Sequence, residues 1–126
     1  MKGGKEEINR SKYLDRDIQR ELFRLGITMR YIGYHYAEEA LLLLKEDESR
    51  IYSVTKCLYP EIAKKYSTSI SAVERDIRTL SLVAWKGQRQ LLEEMAGHSL
   101  ERRPTSSHFL AIVYAHLTQR YLILES

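Results

Sequence analysis

Apolar residues recur at steps of three and four along most of the chain, and no stretch of useful length alternates apolar with polar, so the pattern predicts helices and no sheet. Leu14, Ile18, Leu22 and Leu25 form a first stripe. Asp15 and Asp17 suit the positive end of that helix, and Gly26 suits its stop. A second helix is expected over residues 31–45, with Ile32, Tyr36, Ala40, Leu41 and Leu44 toward a core and Gly33 allowing close packing. The charged run 45–50 is expected to be a solvated connection, and 51–59 a short helical segment leading into the next pair of helices.

Residues 55–85 organise the rest, because two helical patterns meet there across a short polar break. Ile62, Ala63 and Tyr66 follow Pro60 and Glu61, which suit a first helical turn. Val73, Ile77, Leu80 and Ala84 make the second stripe, ending at Trp85. Between them Ser67, Thr68 and Ser69 carry hydroxyls that favour turns and caps, and Ser71 with Glu74 has the spacing of a capping box. The predicted unit is a helix-turn-helix over about residues 60–85. Advancing about 100° per residue from Val73 leaves Ser71, Arg75, Arg78 and Thr79 on the face opposite the stripe. Guanidinium groups there can bond bidentately to guanine or hold a phosphate, whereas the plainer reading is a solvated helix face.

Beyond the motif, Gly87 suits a helix stop, Leu91, Leu92 and Met95 mark a short helix closed by Gly97, and Pro104-Thr105-Ser106 opens a last one. Phe109, Ile112, Val113, His116 and Leu117 form its stripe, with His116 expected as a core histidine. The fold expected is all-α, a compact bundle of about six helices. Residues 1–12 are expected to be a frayed tail ahead of one domain, 13–126. The apolar ending Tyr121-Leu122-Ile123-Leu124 can pack back on the core or pair with a partner.

Composition is that of an ordinary globular protein, with 44% hydrophobic and 29% charged residues. No apolar run approaches the roughly 20 residues of a membrane span, and the N-terminus has no signal-peptide pattern. Cys57 is the single cysteine, expected in the core, which with the absent signal points to a reducing cytoplasm. The net charge of +3 is unevenly placed. Residues 51–90 hold seven Lys or Arg against three acids, while residues 1–50 balance at ten each. The excess sits on the motif, as phosphate binding requires; Lys56, Lys64, Lys65 and Arg89 are the expected counterion-displacing residues, and Tyr59 and Tyr66 lie near enough to touch phosphates.

No catalytic or metal chemistry assembles. The four histidines pair with no other ligand at metal-binding spacing, and neither a phosphate loop nor a nucleophile elbow is present. Glu93 and Glu94 point to different sides of a helix and read as surface charge. An enzyme, a metal site and a cofactor are therefore not expected.

The chain resembles the C-terminal effector domain of the sporulation response regulator called stage zero A. The matching pieces are Thr55-Lys56, Leu58 through Tyr66, Val73-Glu74-Arg75, Ile77-Arg78 and Val83-Ala84-Trp85, with Gly26, Gly33-Tyr34, Glu39-Ala40, Gly97, Pro104-Thr105 and Phe109 outside the motif. The resemblance implies a sequence-specific regulator of transcription whose second motif helix enters the major groove of double-stranded DNA. Two domains would sit in tandem, with the RNA polymerase sigma subunit as a further partner. By position, Glu74, Arg75 and Arg78 match the base-reading pattern, with Thr79 beside them. Lys64, Lys65, Ser69 and Ser71 would position the DNA backbone. This chain departs where it has Ala72 for arginine, Asp76 for alanine and Thr79 for histidine, which removes one cation and adds one acid. The receiver domain that accompanies this effector is absent from these 126 residues, and the starting methionine favours a stand-alone protein. The rival expectation is an interaction module of the same fold that pairs with another regulator or RNA polymerase without reading DNA.

Overall fold

The computed structural model describes residues 13–125, with side chains described to residue 119. The expected tail 1–12 and the side chains of the apolar ending lie outside the described residues. Among those described there are seven α-helices and one 3-10 segment and no strand. In order they are α1 (Asp15–Arg24), α2 (Gly33–Glu46), the 3-10 segment (Glu48–Ser53), α3 (Val54–Cys57), α4 (Tyr59–Lys65), α5 (Ile70–Gly87), α6 (Arg89–Ala96) and α7 (Ser106–Glu125). The count is seven rather than about six because the approach to the motif contains a helical turn of its own. Leu58, at φ −126° and ψ −60°, separates that turn from α4.

The long helix α5 packs against α2, α4, α6 and α7, and α1 closes the other side of α2 and α7. Its stripe of Val73, Ile77, Leu80 and Ala84 is fully buried, each of the larger three contributing roughly 1.5–3 kcal/mol of apolar burial. The expected α1 stripe is buried at Ile18, Leu22 and Leu25, but Leu14 is exposed because it stands at the N-cap, outside the helix. At the far end of α1 the Gly26 N–H bonds Phe23 O and the Ile27 N–H bonds Leu22 O. Gly26 takes φ +85° to close that Schellman turn.

Gly33 fixes how α2 meets α5. A methyl group added there would lie 2.3 Å from the Asp76 carbonyl oxygen, so backbone approaches backbone with no room for a side chain. Because Gly33 turns toward α5, the buried face of α2 runs through Gly33, Tyr36, Ala37, Ala40, Leu41 and Leu44. Ile32, expected in the core, is therefore 69% exposed. Two polar bonds tie the motif to the start of α7: the Tyr59 and Ser106 hydroxyls meet at 2.7 Å, and Ser81 Oγ donates to Pro104 O at 2.7 Å.

Several expectations shift at element ends. Tyr66 is the C-cap of α4 and exposed, α5 runs past Trp85 to Gly87, and Cys57 is exposed at the end of α3 instead of buried. The 45–50 run is exposed in its middle but anchored at Glu48, which accepts a 2.7 Å bond from the Tyr114 hydroxyl. Glu93, expected as plain surface charge, accepts from the Leu100 backbone at 2.8 Å and from Arg89 at 3.3 Å. His116 is half-buried and joins a buried carboxylate, with its Nε2 3.2 Å from Glu21 Oε1. Arg24 Nη1, 2.6 Å away, and Arg20 Nε, 3.2 Å away, complete that cluster. Burial alone would raise the Glu21 carboxyl, but the bonds from His116 and Arg20 and the charge of Arg24 hold it down at about 2.

Candidate nucleic-acid interface

The turn between α4 and α5 sets the outward face. Tyr66 caps α4, Ser67 adopts φ +53°, and the Ser67 and Thr68 N–H groups return to Lys64 O and Ala63 O. This is a Schellman turn with serine where glycine is the usual choice. Ser69 then caps α5, its hydroxyl accepting from the Ala72 N–H at 3.0 Å. The capping box expected at Ser71 and Glu74 does not form. The cap lies two residues earlier, which places Ser71 inside the first turn with its side chain free to face outward.

Ser71, Arg75, Arg78 and Thr79 are all exposed, opposite the buried stripe. Their charge is partly engaged within the protein. Arg75 bonds both oxygens of Asp76, at 3.2 and 3.4 Å, and Arg78 pairs with Glu74 at 3.4 Å. Thr79 turns its hydroxyl back to Arg75 O at 3.1 Å. At the end of α4, Lys65 Nζ is 2.7 Å from Glu39 of α2, whose carboxylate raises the ammonium above its usual range. Lys64 and Lys56 are exposed and have no hydrogen-bond or ion-pair partner among the described residues; both line a pocket of about 480 Å³ that also holds Arg50, Cys57 and Glu61. The structure thus brings Ser71, Arg75, Arg78 and Thr79 onto one face, with Ser69 at its head and Lys64 and Lys65 at the end of the preceding helix.

Two residues expected near DNA have partners within the fold. Tyr59 is buried against Ser106. Arg89 lies 4.0 Å over the Trp85 ring, pairs with Glu93 and donates to Leu100 O at 2.8 Å, bracing α6 against the end of α5.

The family model described as the C-terminal domain of sporulation initiation factor Spo0A matches residues 18–117. The chain belongs to that family. The match starts inside α1, ends inside α7 and takes in the whole of the outward α4–α5 surface. Spo0A C-terminal domains are DNA-binding effector domains of sporulation transcription control, and the family is not a class of enzymes. No receiver domain is evident within these 126 residues. Among the described residues no group of His, Cys, Asp and Glu is placed to hold a metal ion, and no helix is long and apolar enough to cross a membrane.

What the patterns missed is the set of acidic partners. Glu74 and Arg78 stand four apart on one helix, a spacing that predicts a pair, and Arg75 and Asp76 are neighbours. Glu39 meets Lys65 only through the packing of α2 beside α4, which no local spacing reveals.

Proposed function

We propose that the chain is a sequence-specific DNA-binding regulator of transcription in which α4, the turn and α5 act as a helix-turn-helix, with α5 in the major groove. The observation that carries the reading is the division of α5 into a fully buried stripe and an opposite exposed face of Ser71, Arg75, Arg78 and Thr79. Arg75 and Arg78 reach base edges, and Glu74 orients Arg78. Lys56, Lys64, Lys65, Ser69 and Ser71 hold phosphates and set the register. The unit 13–126 acts as one domain in the cytoplasm, with tandem copies on DNA and the RNA polymerase sigma subunit as protein partners.

The carboxylates on Arg75 and Arg78 favour one rival, an interaction module of the same fold that has given up base reading. Titration by fluorescence anisotropy separates the two, using a family-type box and a scrambled duplex over a salt series. DNA reading gives tighter binding to the box, with a log–log salt slope of roughly −3 to −4.5 for about three to five phosphates. Equal affinities for both duplexes support the rival, and a flat salt plot removes DNA from the reading.

A further inference from the structure

The segment leading into α2 lies against the flank of the proposed reading face. Arg30, Tyr31, Ile32 and Gly33 line a cavity of about 260 Å³ together with Asp76 and Thr79 of α5. The backbone contact at Gly33 holds this segment in place, since the Asp76 carbonyl fills the space a side chain would need. Arg30 is exposed and has neither an ion-pair nor a hydrogen-bond partner among the described residues, in contrast to Arg75, Arg78 and Lys65. The one carboxylate in the cavity, Asp76, already has both oxygens taken by Arg75. A guanidinium in that position is a spare positive charge beside Thr79, on a flank where Ala72 and Thr79 supply none.

We infer that Arg30 is a further DNA-contacting residue, holding a backbone phosphate at the edge of the groove that α5 enters. This rests on the helix-turn-helix reading of α4 and α5. The planar guanidinium takes two phosphate oxygens at once, and its long stem lets the head clear Asp76. Exposed Ile32 beside it offers an apolar surface to the adjoining sugar. Such a contact carries no base information, so it strengthens binding to every sequence alike and fixes how far α5 can roll in the groove.

The test compares wild type, Arg30→Ala and Arg30→Lys on the family-type box and on scrambled DNA, over a salt series by anisotropy. Arg30→Ala should weaken binding to both duplexes by a similar factor, roughly 3- to 10-fold, and make the salt slope shallower by about 0.9, one phosphate's worth. Arg30→Lys keeps the charge and should restore most of both quantities. If Arg30→Ala matches wild type in affinity and slope, the inference is wrong while the reading of α5 stands. A loss confined to the box with an unchanged slope also overturns it, since that is a base contact or a displaced helix. If wild type itself binds no DNA in a salt-dependent way, the reading of the whole surface falls and the assignment of Arg30 falls with it.

Discussion

Arg75 and Arg78 face solvent, yet each must leave a carboxylate before it can touch DNA. Exposed pairs of this kind are worth roughly 0.2–1 kcal/mol, so the cost of release is small beside a bidentate base contact of about 1–3 kcal/mol. Asp76→Asn should therefore tighten binding to the preferred box by roughly 0.2–1 kcal/mol, read by anisotropy; unchanged or weaker binding would mean that Asp76 holds Arg75 in its working orientation. Roles should also divide between helices. Lys64→Ala should weaken binding about equally on all sequences, whereas Arg78→Ala should cost about 1–3 kcal/mol on the preferred site and relax one base pair. Equal losses on specific and random DNA for both variants would contradict the division. The outward arginines are legible from helical spacing alone, because the opposite stripe is purely apolar. Arg30 is not, since its place beside Thr79 depends on a contact between segments more than forty residues apart.

Within single elements, the informative places are those where a residue conflicts with its backbone or its spacing. Ser67 holds a left-handed conformation that costs a non-glycine residue about 1–2 kcal/mol, against the roughly 0.5–1 kcal/mol of extra chain entropy that glycine loses. Ser67→Gly should stabilise the protein by about 0.5–1 kcal/mol, seen as a higher Tm with α5 still capped by Ser69. A lower Tm would mean that the Ser67 side chain makes a stabilising contact. Gly33→Ala should do the reverse, costing about 1–3 kcal/mol in a urea titration, because the obstacle is backbone and not a movable side chain. The same close approach hides the register of α2 from the sequence. A glycine gives no hydropathic signal, so the pattern favours Ile32 as the core residue, although the stripe counted from Gly33 fits Tyr36, Ala37, Ala40, Leu41 and Leu44.

For the molecule as a whole, α1 and α7 are clasped through Glu21, whose carboxylate sits among Arg20, Arg24 and His116. Its folded pKa of about 2 lies below the ordinary 4.5, so the clasp contributes fully above about pH 4.5 and loses its contribution as pH falls toward 2. Urea midpoints measured from about pH 7 down to about pH 2 should show wild type falling through that window, with Glu21→Gln less stable at neutral pH and flatter in the acid range. Parallel curves would show that the clasp is not what titrates. Fold class and most helix positions are legible from periodicity, because burial dictates where apolar residues recur. The clasp is not, since a glutamate on an otherwise apolar face signals nothing until α7 arrives beside it.

The meeting of Gly33 with Asp76 has a consequence for how this surface can change over time. At Gly33 the approach of α2 to α5 is limited by main chain resting on main chain, a contact made by the Asp76 carbonyl whatever side chain stands at 76. On the proposed reading, substitutions such as those at positions 72, 76 and 79 alter what the face recognises while this contact is kept. The joint works as a mount on which the lettering is exchangeable, and a side chain at residue 33 would tilt it.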